Sequence, residues 1–116
     1  MPRIDFKVQK INKKEPLQLI EVRNPKGKIT PAGFRMTVDQ IADKMWSNMP
    51  IVFKLGDKLP GWAMGMLFLG LETVVQSWVG ICRDKPHYDV VVISTNLQNV
   101  QVGNTIPFAT LGLEIE

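Results

Sequence analysis

A chain of 116 residues can bury one hydrophobic core and is too short for two cores of ordinary size. Its composition, 45% hydrophobic and 22% charged, is typical of a globular domain and argues against long disordered or low-complexity tracts. The formal net charge is only +3, so a preference for an anionic partner would have to come from how the charges are distributed. We therefore predict a single domain over residues 1–116.

The charges are unevenly distributed along the chain. Residues 1–35 carry nine basic and three acidic side chains, a net of +6, whereas the remaining 81 residues carry five basic and eight acidic ones, a net of −3. This split favours a basic face that binds an anionic partner, although an ordinary solvated surface gives the same pattern. The candidate binding residues are the basic side chains of the first segment: Arg3, Lys7, Lys10, Lys13, Lys14, Arg23, Lys26, Lys28 and Arg35.

The sequence carries no recognisable signal for export or membrane insertion. Its longest apolar stretch ends at Glu72, well short of the roughly 20 residues that a membrane span needs. The first ten residues are too polar for a signal peptide. The single cysteine, Cys82, cannot form an internal disulfide. We expect an intracellular, reducing environment.

The amino-terminal region alternates in the manner of β-strands. Ile4, Phe6 and Val8 point one way while the intervening polar residues point the other, which predicts a half-buried strand. Residues 17–22 are short, apolar and rich in branched side chains, and turn-forming residues flank them. A second strand is predicted there.

The strongest helix signal begins at Thr37. Thr37 and Gln40 have the spacing of a capping box, in which the two side chains satisfy backbone N–H groups of the first turn. Apolar residues then recur at helical spacing until Pro50. We predict one amphipathic helix at residues 38–48, packed on a sheet.

The remainder of the chain favours extended structure. Residues 62–71 fit either a buried strand or a short helix, and we predict a strand because Gly61, Gly65 and Gly70 weigh against a helix. The sum is a small α+β domain, with a mostly antiparallel sheet and one main helix. The other predicted extended or alternating segments are residues 51–55, 78–81, 89–94 and 100–115.

No catalytic or metal-binding constellation is recognisable. The stretch from Arg83 to Asp89 holds a basic group, carboxylates and His87, but neighbours in sequence rarely form a catalytic triad, so it is interpreted as a solvated connection. One histidine and Cys82 fall short of a zinc site. Cys82 itself is interpreted as a small buried residue, with a reactive thiol as the alternative. We predict no enzyme, no catalytic residue, no metal and no cofactor.

Large apolar side chains are numerous for so small an interior. Some of them are therefore expected at the surface, where aromatic side chains favour self-association or insertion at a membrane interface. Basic side chains add attraction to anionic lipid, about 1 kcal/mol for each well-placed lysine or arginine. Together these features predict a peripheral membrane protein. The self-assembly candidates are Trp46, Trp62 and Trp78.

A further pattern covers about a third of the chain, with gaps. It consists of the capped helix Thr37–Ala42 leading to Trp46 and Met49, then Gly56–Pro60, then Phe68–Gly70. This arrangement resembles the core of rhabdovirus matrix proteins. The short length is closer to the reduced matrix proteins of bornaviruses and nyamiviruses, other negative-strand RNA viruses.

The resemblance implies a location and a set of partners. A matrix protein lies beneath the envelope of the virion and, in the host cell, in the cytoplasm and on the inner face of the membrane. It binds anionic membrane through basic residues, forms homo-oligomers and bridges to the viral nucleoprotein during assembly and budding, with RNA as a further partner. This sequence departs from the rhabdovirus pattern because it has no lysine-rich arm and no Pro-Pro-x-Tyr or Pro-Thr/Ser-Ala-Pro budding motif.

The alternative is a small basic module that binds RNA or other single-stranded nucleic acid. In that hypothesis the lysines contact phosphates and aromatic side chains stack on bases. The basic first third contains only Phe6 and Phe34 as aromatic residues, so the expected interleaving of basic and aromatic residues is poor.

Overall fold

The computed structural model describes residues 4–11, 14–23, 29–56, 59–71 and 77–113. These residues form one six-stranded sheet and three helices. The strands are β1 (Asp5–Ile11), β2 (Leu17–Arg23), β3 (Ile51–Leu55), β4 (Trp78–Arg83), β5 (Asp89–Thr95) and β6 (Thr105–Pro107). The helices are α1 (Pro31–Lys44), α2 (Gly61–Leu71) and α3 (Phe108–Leu111).

The strands lie in the sheet in the order in which they follow along the chain. The pairs β1–β2, β4–β5 and β5–β6 are antiparallel, whereas β2–β3 and β3–β4 are parallel. The predicted α+β class with a mostly antiparallel sheet is confirmed. Each parallel pair needs a crossover connection, and α1 and α2 supply the two crossovers.

Both faces of the sheet are covered by apolar side chains. On one face, Ile20 and Phe53 pack with Phe34 of α1 and Leu67 of α2 in a single buried cluster. On the other face, the far face, α3 and the carboxy-terminal segment pack on a second cluster that includes Val52. We call α1, α2 and the connection over residues 45–50 the helical layer.

Helix α1 begins about two turns before the predicted start. The Gly33 N–H donates to the hydroxyl oxygen of Thr30 (3.1 Å), and Pro31 occupies the first turn, where its missing N–H costs nothing. Thr37, the predicted cap, lies inside the helix and donates to the carbonyl oxygen of Gly33 (3.4 Å). The predicted range 38–48 was therefore wrong at both ends. The Thr-Pro pair is the stronger start signal, and the helix ends at Lys44 because Met45 is extended and the backbone of Trp46 is bonded to Gln18.

The predicted strand at residues 62–71 was wrong, since this segment forms helix α2. Ala63, Leu67 and Leu71 recur every four residues and are fully buried against the core. That burial outweighs the cost of about 1 kcal/mol for each glycine in a helix. The topology adds a second reason, because only a crossover element can join the parallel strands β3 and β4.

The other extended segments follow the predictions more closely. The strands predicted at residues 17–22, 51–55 and 89–94 correspond to β2, β3 and β5, and the amino-terminal alternation corresponds to β1. The segment 78–81 lies within β4. In the described part of the alternating tail, residues 100–113, the short strand β6 precedes α3.

Two glycines allow a direct test of this packing. A Cβ on Gly80 would clash with Val90 Cγ1 and lie 3.1 Å from the Val91 carbonyl oxygen. We expect Gly80→Ala to lower the free energy of unfolding by about 1–3 kcal/mol, as overpacking does. Gly65→Ala is the control, because its Cβ meets nothing within 4 Å. It should raise the free energy by about 0.5–1 kcal/mol in urea titrations. Equal effects of the two variants would contradict the packing described here.

Candidate functional site

The outward side of helix α2 is apolar. None of the helix's 11 residues is charged. Trp62, Met66 and Leu69 are spaced at i, i+4 and i+7, which places them on one side, and Trp62 and Leu69 are 41% and 73% exposed. A surface helix ordinarily carries polar residues on that side, so α2 suits contact with another apolar surface. We call these three side chains the α2 stripe.

Among the described residues, no helix is both long enough and apolar enough to span a membrane.

A buried glutamine fixes the backbone of Trp46 at the surface. Gln18, which is 0% exposed, donates from its amide nitrogen to the carbonyl oxygens of Trp46 (2.6 Å) and Met49 (3.2 Å). Its amide oxygen accepts from the Trp46 N–H (3.0 Å). The indole of Trp46, which remains partly exposed, is therefore presented from a connection whose backbone is held in place.

Sequence reasoning did not single out Gln18. The available signal was its position in β2. Gln18, Ile20 and Val22 are two residues apart from one another, so all three point toward the helical layer. A polar residue at an inward strand position needs buried hydrogen-bond partners. Those partners came from the connection after α1, which the sequence could not place next to β2.

Exposed apolar side chains are concentrated on the helical layer. Six large hydrophobic side chains are exposed among the described residues, and four of them belong to this layer. The four are Met36, Trp46, Trp62 and Leu69. The rings of Phe34 and Trp62 meet edge to face with their centroids 6.0 Å apart, so α1 contacts the α2 stripe.

Trp78 does not share this exposure. It is 8% exposed and packs with Leu17 and Val92 in the far-face cluster. It therefore offers no free surface for self-assembly, and Trp46 and Trp62 are the exposed members of the predicted set.

The predicted basic residues do not all lie on one face. Lys10 is paired in register with Gln18 and points to the helical side of β1. Lys7 points to the far face, where it is paired with Glu21, and Arg23 lies 3.9 Å from the same carboxylate. Lys14 is exposed in the connection between β1 and β2.

The helical layer carries two further cations. Arg35 is exposed on α1. Lys44, which lies outside the predicted basic segment, ends α1 with its Nζ 5.1 Å from the centroid of the Phe6 ring. Arg35, Lys44 and Lys10 are thus the described cations on the side of the helices. Arg3, Lys13, Lys26 and Lys28 lie outside the described residues.

The polar cluster at residues 83–89 closes the turn between β4 and β5. Arg83 donates two hydrogen bonds to Asp89, from Nε (2.7 Å) and from a terminal nitrogen (2.6 Å). The hydrogen bond from Arg83 is the main reason that the pKa of Asp89 lies below its ordinary value. His87 is exposed in the turn. Within the described ranges, no group of three or more His, Cys, Asp or Glu residues could hold a metal ion.

Comparison with known proteins gives no assignment. No protein-family model matches the chain, and no curated protein is significantly similar to it. The resemblance to rhabdovirus matrix proteins therefore rests on the residues between Thr37 and Gly70 alone.

Proposed function

We propose that this protein is a peripheral membrane protein of the matrix type, which binds anionic membranes through its helical layer and self-assembles there. One observation carries the proposal: α2 has no charged residue and exposes Trp62 and Leu69 to solvent. Burying such side chains in the boundary between headgroups and acyl chains is favourable, because it removes apolar surface from water.

Electrostatic attraction supplies the second part of the mechanism. Lys10 and Lys44 lie on the side of the helices, and each adds about 1 kcal/mol of attraction when it lies near an anionic surface. Arg35 precedes Asp39 by four residues and therefore shares its side of α1. Asp39 and Asp43 are exposed on α1, so the side of α1 that bears them is expected to stay in water. The molecule would then approach the membrane with α2 leading.

Trp46 fits the same orientation. Tryptophan prefers the level of the lipid headgroups, where its ring is apolar and its N–H finds a hydrogen-bond partner. Because Gln18 holds the backbone of Trp46, little backbone conformational entropy remains to be lost on binding.

The assembly part of the proposal rests on the resemblance to matrix proteins. In that hypothesis the membrane-bound copies form a layer that bridges to a viral nucleoprotein. Trp46 and Trp62 remain the candidate contacts between copies. Light scattering of the free protein tests this part separately from membrane binding.

Nucleic-acid binding is less well supported by the surface. Phosphates attract cations, and the α2 stripe offers none. Stacking needs aromatic rings interleaved with basic side chains, whereas Trp62 and Leu69 adjoin only apolar residues and glycines on α2.

The test is co-sedimentation with vesicles of phosphatidylcholine alone or with added phosphatidylserine, at low and high salt. We expect selective binding to the anionic vesicles that persists in part at high salt, because insertion of apolar side chains is not screened. An excess of single-stranded oligonucleotide should not displace the protein. If the protein bound neither kind of vesicle, or if the oligonucleotide displaced it fully from the anionic vesicles, the proposal would be contradicted.

A further inference from the structure

The far face of the sheet contains a cavity of about 660 Å³. That volume is within the range of about 300–1,000 Å³ that is usual for small-molecule sites. The cavity lies on the face opposite the helical layer, so it does not depend on the proposed membrane contact. Its walls come from the sheet, from the turn after β4 and from the segment that follows α3.

The floor of the cavity is apolar. Ile11, Leu19, Phe108 and Leu113 line it. Cys82 belongs to the same surface, and burial, with a smaller contribution from Asp84, raises the pKa of its thiol to about 12. The thiol is therefore neutral at physiological pH and contributes a small apolar surface instead of a nucleophile.

The rim carries charges of both signs. Lys54 is the register partner of Glu21, which places this pair on the sheet wall. Asp84 and Lys85 supply a second pair from the turn. A cavity lined by two cations, two anions and several apolar side chains has no bias toward a singly charged ligand. Charge complementarity favours a head that itself carries one charge of each sign.

Tyr88 stands at this rim in a strained conformation. Its φ is 46°, in the left-handed region that bulky residues seldom adopt. The Phe108 N–H donates to the Tyr88 carbonyl oxygen (3.0 Å), and the two rings meet edge to face with centroids 6.1 Å apart. The two hydrogen bonds from Arg83 to Asp89 close the turn that carries Tyr88. Strain that is held by its surroundings is found preferentially at ligand sites.

We infer that the far-face cavity binds a zwitterionic amphiphile. The aliphatic tail lies on the floor formed by Leu19 and Phe108. The negative group of the head lies between Lys54 and Lys85, and its positive group lies near Glu21 and Asp84.

Calorimetric titration with dodecylphosphocholine, kept below its micelle concentration, tests this inference. The comparison probes are dodecyl phosphate, dodecyltrimethylammonium and free phosphocholine. We expect dodecylphosphocholine to bind at least tenfold more tightly than each of the three. Equal affinity for dodecylphosphocholine, dodecyl phosphate and dodecyltrimethylammonium would overturn the preference for a zwitterionic head. Tight binding of free phosphocholine would overturn the role of the tail.

Matched variants in β1 distinguish loss of the site from loss of the fold. Gln9 lines the cavity, so Gln9→Trp should fill part of it and weaken binding of dodecylphosphocholine by tenfold or more. Asp5→Trp is the matched control, because it places the same side chain on the same face of the same strand at a position that does not line the cavity. Lys54→Gln should weaken binding by roughly tenfold, as expected for loss of a charged partner. Unchanged affinity in Gln9→Trp, or an equal loss in Asp5→Trp, would overturn the site.

Discussion

Replacing Trp62 and Leu69 together by serine is expected to weaken binding to anionic vesicles by about two orders of magnitude. Burial of each side chain in lipid contributes roughly 1.5 kcal/mol or more, and a total near 3 kcal/mol corresponds to about a hundredfold. Leu69 is 73% exposed, whereas Trp62 is 41% exposed and its ring contacts Phe34, so the free energy of unfolding should fall by about 1–2 kcal/mol, and circular dichroism checks that the variant is folded. Vesicle co-sedimentation over a range of lipid concentrations measures the effect.

The chain offers a matched control for this double variant. Leu97 and Val102 are also exposed apolar residues, but they lie between β5 and β6, outside the helical layer. The double replacement of Leu97 and Val102 by serine should leave vesicle binding within about twofold of the unsubstituted protein. If both double variants lost binding equally, membrane contact would depend on general surface hydrophobicity and not on the α2 stripe.

Gln18→Leu is expected to lower the free energy of unfolding by about 2–4 kcal/mol. Leucine preserves much of the volume, but the Trp46 N–H and the carbonyl oxygens of Trp46 and Met49 lose their side-chain partner. Leaving buried backbone groups unsatisfied costs about 1–3 kcal/mol each, and water recovers part of that cost at a partly exposed connection. Urea unfolding monitored by circular dichroism measures the change.

Gln9→Leu is the control for Gln18→Leu. Gln9 lies on the neighbouring strand and points to the far face, where it is only half-buried. Its replacement should shift the free energy of unfolding by no more than about 0.5 kcal/mol. A comparable shift in both variants would show that Gln18 does not act through the connection that carries Trp46.

The strands were predictable because their patterns are local. Alternation along β1 and the branched runs of β2, β3 and β5 each fit a pleated, buried surface whatever their neighbours are. Helix α2 was not predictable in this way, since its three glycines and uniform apolarity are consistent with either element. Only the need to cross from β3 to a parallel β4 decides in favour of a helix.

The candidate site was predictable only in part. Sequence alone indicated that some tryptophans reach the surface, but exposure of Trp62 and burial of Trp78 depend on which sheet face each element covers. The basic residues divide between faces because Lys7 and Lys10 are an odd number of positions apart in one strand. The far-face cavity combines residues from both ends of the chain, so no local pattern could indicate it.

The central claim is that the α2 stripe enters the membrane, and quenching of Trp62 fluorescence by brominated phosphatidylcholine tests it most directly. In a Trp46→Phe variant the remaining tryptophans are Trp62 and the buried Trp78, which supplies a constant background. On anionic vesicles that contain the brominated lipid, we predict a blue shift and strong quenching of the Trp62 emission. Vesicle-bound protein whose emission is neither shifted nor quenched would contradict the claim.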